Sequence, residues 1–282
     1  SLRMVCESSF LLGKSFSIDE IDIGYTGKGA LVARIKYKRE GDGILLDAVC
    51  CPQTGALITF KLRADDMSGV ADPTNGDLSP LHHRTLFLLQ KMCVAGKWRE
   101  GYTDNLFTSL KLCWYGWAEA QCKLCGVIRA LRGFPKRAEQ KHETVKEKIK
   151  AAKEENNGAG KVVIRSLSFE TPDMEPQPEG DTMPEKFGIM GFSVYDEKPV
   201  NFLTTIHSNV EFVQKTRPVW DRVMREFVSF NYWRTRVQED YNINMDGVDL
   251  ADQLRWYYRC DGKHMWRNQR YTWAIYLFAI NT

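Results

Sequence analysis

Three aspartate positions stand where a carboxylate could do chemistry. Asp19 lies in Phe16-Ser-Ile-Asp-Glu-Ile-Asp22, whose alternation of apolar and polar residues predicts a strand. A charge in mid-strand, between residues that should face the core, is costly unless something compensates it. Asp104 closes a second predicted strand near 97–103, at the carboxyl end, where sites of α/β proteins often lie. Its competing role is to cap a helix over 107–120, since aspartate is favoured at that position. In Tyr241-Asn-Ile-Asn-Met-Asp-Gly-Val-Asp-Leu-Ala-Asp252, the residues Asp246, Asp249 and Asp252 recur three apart. In a helix starting near Gly247, Asp249 and Asp252 share a face and repel one another, and a shared cation would reverse that repulsion. The non-functional explanation is the helix dipole, which favours carboxylates in a first turn.

Gathered aspartates suit the cleavage of a phosphodiester. That reaction needs an activated water or 3′-hydroxyl and a stabilised leaving oxygen, and two Mg²⁺ ions roughly 3.5–4 Å apart provide both. Mg²⁺ prefers hard oxygen ligands, so carboxylates are its natural cage.

The elements that must hold these residues read as a mixed α/β order. Strands are predicted over 16–22, 43–50 and 56–62, the last two joined by a Pro-Gln-Thr-Gly turn, in an antiparallel meander. A loop over 65–80 leads to an apolar helix from Leu81 to Val94. The strand near 97–103, the helix from Phe107 to Ala120 and a strand over 122–128 follow. Strand, strand, strand, helix, strand, helix, strand is the order of the ribonuclease H-like fold. The middle third departs from it: a charged helix over 136–155, a Pro- and Glu-rich exposed loop over 171–187, and strand-like pieces at 161–169, 188–195 and 199–206. From about Val219 the pattern is read as helical to the end. Within 255–273, Arg255, Arg259, Lys263, Arg267 and Arg270 alternate with Trp256, Tyr257, Tyr258, Trp266, Tyr271 and Trp273. Cations between aromatic faces suit a DNA backbone and an unstacked base, and a buried helix with snorkelling arginines is the competing reading.

Composition narrows the class without choosing the function. A net charge of +3 leaves DNA affinity to local clusters. No apolar run is long enough to cross a bilayer, so no membrane partner is expected. Most of the eight cysteines lie in apolar runs, as reduced thiols of a cytosolic or nuclear protein do. Cys122 and Cys125 form a lone C-x-x-C, read as core thiols and not as a zinc site. Ser1 opens without an initiator methionine and Thr282 falls inside a predicted helix, so the sequence is read as a fragment of something longer.

Seven segments, in order along the chain, resemble the piggyBac family of transposases. They are Ser17-Ile-Asp-Glu20; Tyr102-Thr-Asp-Asn-Leu-Phe-Thr-Ser109; Cys125-Gly-Val-Ile-Arg129 with Pro135; Asp196-Glu-Lys-Pro-Val200; Leu203-Thr-Thr-Ile-His207; Tyr241 to Asp249; and Asp252-Gln253 with Trp266 and Asn281. The resemblance implies a ribonuclease H-like mixed five-stranded sheet with flanking helices, interrupted by a β-rich insertion domain. It implies a remnant of an upstream region over 1–15, a first core part over 16–130, the insertion over 131–235 and carboxyl-terminal core helices over 236–282. It carries over Asp19, Asp104 and Asp249 as the catalytic and metal-binding triad, with Asp252 as a nearby acid, two Mg²⁺ or Mn²⁺ ions as cofactors, and Arg129 and Trp266 as DNA contacts; Asn105, and Arg267 and Arg270 of the cationic-aromatic stretch, are further expected DNA contacts. It further implies hairpin-ended excision, transposon ends and a TTAA target as DNA partners, and nuclear localisation, and it leaves a homodimer open.

This sequence departs from the family at Asp246, where the family has glycine; the expected role of Asp246 is to cap the helix beginning near Gly247. The Lys-Pro and Gly-x-Lys pattern is not kept around Lys38 to Leu45. The family's amino-terminal dimerisation region and its cysteine-rich zinc module have no counterpart in these residues. The leading expectation is a metal-dependent DNA strand-transferase core. Its rival is a domesticated, catalytically silent DNA-binding protein derived from a transposase.

Overall fold

A computed structural model describes residues 13–24, 33–34, 42–65, 67–92, 98–129, 132, 134, 147, 162–170, 188–195, 199–221 and 223–257. The alternating 16–22 segment forms the middle of strand β1 (Ser15–Gly24). It pairs antiparallel with β3 (Asp42–Cys50), which pairs antiparallel with β4 (Leu57–Leu62); a two-residue strand β2 (Ala33–Arg34) also pairs with β3. On its other side β1 runs parallel to β5 (Arg99–Thr103), and β5 runs parallel to β6 (Cys122–Val127). The order β4-β3-β1-β5-β6, antiparallel first and parallel last, is the ribonuclease H-like core that the element order implies.

The sheet continues beyond this core. Strand β9 (Pro199–Thr204) pairs antiparallel with β6, and β8 (Gly188–Tyr195) and β7 (Val162–Glu170) follow, giving a nine-stranded sheet. The strand-like pieces of the middle third therefore extend the core sheet edge to edge. The expected helix over 136–155 lies outside the described residues apart from Glu147, and the 171–187 loop lies wholly outside them.

One expectation is overturned here. The segment from Val219 is not helical until Arg236: β10 (Phe212–Asp221) and β11 (Glu226–Thr235) form a two-stranded antiparallel ribbon. Phe227, Phe230 and Trp233 fall three apart, which mimics a helical stripe, but the segment is rich in aromatic and β-branched residues that favour extended backbone. Helix α3 (Arg236–Asn244) then starts at a capping box in which Thr235 and Gln238 exchange hydrogen bonds.

Helices cover both faces of the sheet. On one face α1 (Pro80–Met92) and α2 (Leu110–Ala120) bury Leu86, Leu89, Met92, Leu112 and Cys113 against Phe16, Ile18 and Leu124. On the other face Val248 and Ala251 of α4 (Gly247–Tyr257) pack on Ile21, Leu46, Ala48 and Cys50, while Val237 and the α3–α4 junction residue Met245 join Tyr102, Cys125 and Phe192. Cys122 belongs to the first face and Cys125 to the second, so these two thiols point to opposite sides of β6 and cannot converge on one ion.

The face carrying α1 holds a buried ionic knot. Asp47 is fully buried and meets Arg63 at 2.6 Å and Arg84 at 3.0 Å; Arg63 also reaches Glu20 at 3.0 Å. Because Glu20 follows Asp19, this knot fixes β1 and its neighbours at the position where the first candidate aspartate emerges on the opposite face.

Candidate active site

The parallel register of β1 and β5 pairs Ile18 with Thr103, so the next residues on the two strands are Asp19 and Asp104. Asp19 is half-buried, and its Oδ1 accepts the Glu20 amide at 2.7 Å. Asp104 leaves the strand into a turn and accepts the amides of Leu106 at 2.8 Å and Phe107 at 3.2 Å through Oδ1. It therefore caps the turn and not the helix: α2 starts three residues beyond the expected 107, with Ser109 as N-cap accepting from Leu112. Capping and facing Asp19 are compatible, because the cap uses Oδ1 alone.

The turn is latched from beneath. Thr108 Oγ1 sits 2.7 Å from Thr103 Oγ1 and donates to the Asp104 carbonyl at 2.6 Å. Gly126 on β6 makes room for this pair, since a Cβ there would stand 2.2 Å from Thr108 Oγ1 and 2.5 Å from the Thr103 carbonyl oxygen.

The third aspartate arrives on α4. Gly247 lets the helix start directly on the sheet: a Cβ at this position would lie 2.4 Å from Ser17 Oγ and 2.9 Å from the Cys51 carbonyl oxygen. The Pro52-Gln-Thr-Gly55 turn closes over the same helix, with Gly55 at φ +68° against Leu250 and Ala251. Ser17 shares a strand face with Asp19, so seating Gly247 on Ser17 brings the first turn of α4, and Asp249 in it, beside Asp19.

Electrostatics follow this placement. Burial, then the charge of Asp104, and further that of Asp249 push the Asp19 carboxyl up to about 7, against the bond from Glu20, which lowers it. Burial likewise raises Asp104, opposed by its two amide bonds. The charges of Asp104 in the β5 turn and of Asp249 on α4 thus both reach Asp19 on β1, across up to 230 residues of sequence (249 − 19). Among the described residues no three His, Cys, Asp or Glu side chains stand close enough together to ligate one ion, so the carboxylates are gathered but not closed to coordination distance. Their charge fits a divalent cation: a buried carboxyl destabilised by two neighbours of its own sign is what such an ion would relieve.

The remaining candidates divide. Asp252 pairs with Arg255 at 3.2 Å, one turn along α4. Asp246 holds the N-cap position through its carbonyl, which accepts from Leu250, but its exposed carboxylate makes no capping bond among the described residues, contrary to the expected cap. Its charge acts on Tyr241. Arg129, at the end of β6, grips Asn105 Oδ1 at 3.2 and 2.9 Å, so both expected DNA contacts stand beside Asp104. Trp266, Arg267 and Arg270 lie outside the described residues.

Sequence patterns passed over three residues that border the site. Tyr241 is raised well above its ordinary range by burial, then by the charge of Asp104, which places it against the carboxylates; it opens the segment Tyr241 to Asp249, in which only the aspartates carry an expected role. Arg132 follows Arg129 by one turn and donates to the Leu106 carbonyl. His82 comes from α1 and had no signal at all.

Comparison with known proteins gives a family and a shared fold. The family model described as Transposase IS4 matches residues 1–282. No curated protein matches the chain. Among solved structures, the cryo-electron-microscopy structure of a piggyBac transposase synaptic complex with hairpin DNA superposes with a TM-score of 0.60 at 19% identity, over 98% of this chain and 47% of that one. The fold is shared, and the chain spans about half the length of the protein it matches.

Proposed function

The chain belongs to the Transposase IS4 family, and from that premise we propose that it is the catalytic core of a piggyBac-type DNA transposase, performing metal-dependent strand cleavage and strand transfer. The observation that carries the proposal is the raised Asp19 carboxyl, which senses Asp104 and Asp249 from two other elements.

In this reading Asp19, Asp104 and Asp249 hold two divalent ions, Mg²⁺ or Mn²⁺, which when bound activate a water or 3′-hydroxyl and stabilise the leaving oxygen of a DNA phosphodiester. The chain's own part is positioning. The β1–β5 register fixes the spacing of Asp19 and Asp104, and the two amide bonds to Oδ1 fix the direction of the Asp104 carboxylate. Gly247 and Gly55 set the depth of α4, and hence the approach of Asp249. Arg129 and Asn105 hold a phosphate next to Asp104; Asp252 is an outer acid held by Arg255. Trp266, Arg267 and Arg270 contact the DNA end. By resemblance the partners are transposon ends and a TTAA target and the compartment is the nucleus; the resemblance leaves a homodimer open.

A catalytically silent, DNA-binding derivative is the competing reading, and it draws on the open arrangement of the carboxylates. The two are separated by incubating the chain with a labelled duplex in Mg²⁺ and resolving the strands. Nicking by the parent that is lost in Asp19→Asn, Asp104→Asn and Asp249→Asn supports the enzyme; a parent that binds and never nicks supports the silent derivative.

A further inference from the structure

Strands β10 and β11 pair without a break over their whole length, so the residues of the ribbon sort onto two faces. One face is tied to the body of the protein: Lys215 and Arg234 lie on it, and both reach Glu239 of α3, at 2.5 and 3.4 Å. The other face consists of every second residue from Phe212 to Trp220 and from Phe227 to Trp233. It carries no charged residue, and every residue on it is exposed.

Four aromatic rings stand on that open face: Phe212 is 49% exposed, Trp220 50%, Trp233 59% and Phe227 69%. They leave roughly 450 Å² of aromatic side chain in water, as much as the largest apolar patch on an ordinary monomer. The ribbon that holds them is well tied. Asp221 closes its tip by accepting the Val223 and Met224 amides at 2.7 and 3.1 Å, Trp220 meets Phe227 edge to face at 5.1 Å, and Thr216 donates to Asn231 at 2.7 Å.

The pattern along the face selects its occupant. Phe212 and Trp233 sit at the base, Trp220 and Phe227 at the tip, and the small residues Thr216, Pro218, Ser229 and Asn231 lie between. Trp233 is opposite Gln214, so six residues of strand (220 − 214), about 20 Å, separate the two aromatic ends. A two-fold axis near Thr216 and Asn231 turns this face onto itself, with base rings over tip rings at both ends. A face without charge suits the desolvated centre of a protein interface and offers a DNA phosphate nothing to bind. The rings alone supply about half of the ~800 Å² that each partner of a standard interface buries, and the exposed small residues beside them add to it.

We propose that this face is a self-association surface. A second copy of this chain docks its own ribbon on it, with the Trp220–Phe227 end of each copy on the Phe212–Trp233 end of the other. The inference stands on the ribbon alone and does not depend on the DNA reading given above.

The test is the mass of the 282-residue chain by sedimentation equilibrium over a concentration series. Four samples are compared: the parent, a tip variant (Trp220→Thr with Phe227→Thr), a base variant (Phe212→Thr with Trp233→Thr), and an equimolar mixture of the two variants. Threonine keeps the preference for extended backbone, and circular dichroism checks that each variant folds. Should a double variant fail to fold, Phe227→Thr alone, at the most exposed of the four rings, takes its place with the same expected direction. The parent should dimerise, and each variant should dissociate at least tenfold more readily. The mixture should associate more tightly than either variant alone, because one end of the mixed dimer keeps all its rings. A monomeric parent, a parent that grows beyond a dimer, or variants that dimerise like the parent would overturn the surface. A mixture no tighter than the separate variants overturns the antiparallel docking. Variants that keep the parent's mass and lose binding of a labelled DNA hairpin overturn the proposal in favour of a nucleic-acid face.

Discussion

Asp19 and Asp104 are neighbours because β1 and β5 run parallel with Ile18 opposite Thr103. One consequence is measurable without DNA. The Asp19 carboxyl, about 3.8 in an unfolded chain, is pushed up to about 7 in the fold by burial and then by Asp104. Below the unfolded value the group is protonated in both states. As pH rises, the unfolded chain gives up its proton first, so the stability contributed by protonated Asp19 is lost as pH rises through about 7. Denaturant unfolding from about pH 4 to about pH 8 should therefore show the parent losing on the order of 3 kcal/mol relative to Asp19→Asn. Parallel curves for the two would mean that Asp19 titrates normally.

Gly247 predicts the placement of the third carboxylate. In Gly247→Ala the new Cβ would meet Ser17 Oγ at 2.4 Å and backbone of the Cys51–Pro52 turn at 2.9–3.0 Å, so α4 must lift. A cost of about 2 kcal/mol in stability is expected, with nicking reduced about a hundredfold because Asp249 moves with the helix. Full nicking activity in a folded Gly247→Ala would detach Asp249 from the site.

The knot behind Asp19 should be strongly stabilising as a unit. Asp47→Ala leaves Arg63 and Arg84 without their shared buried partner, and an unfolding free energy lower by about 3–5 kcal/mol is expected by urea titration. A loss within about 0.5 kcal/mol would mean that water reaches these guanidiniums freely.

Asp246 should be nearly silent. Its carboxylate is exposed and makes no capping bond among the described residues, and the leading charges acting on Asp19 are those of Asp104, Asp249 and Glu20. Asp246→Gly should change the nicking rate by no more than about twofold across a Mg²⁺ series, equivalent to about 0.4 kcal/mol of barrier. A gain near tenfold would show that the carboxylate repels the scissile phosphate.

The aspartates were legible because each sat on a local pattern: alternation placed Asp19 in mid-strand, and Asp104 fell where a strand gives way to a turn. The depth of α4 was not legible, because it depends on contacts of Gly247 and Gly55 with segments about 200 residues apart in sequence (247 − 52 and 251 − 55). The β10–β11 ribbon departs from the helical expectation because Phe227, Phe230 and Trp233 imitate a helical stripe in a strand pair with no third strand among the described residues to impose a clean alternation. His82 and Arg132 meet only because α1 packs beside the β6 end, and no spacing in the chain announces that contact.

The most direct test of the carboxylate site is a calorimetric Mn²⁺ titration of the chain with a DNA hairpin bound, repeated for Asp19→Asn, Asp104→Asn and Asp249→Asn. The expected result is uptake of two ions by the parent, with one or none by each variant while hairpin binding is retained. Uptake of no ion by the parent, or of the same number by all three variants, would contradict it.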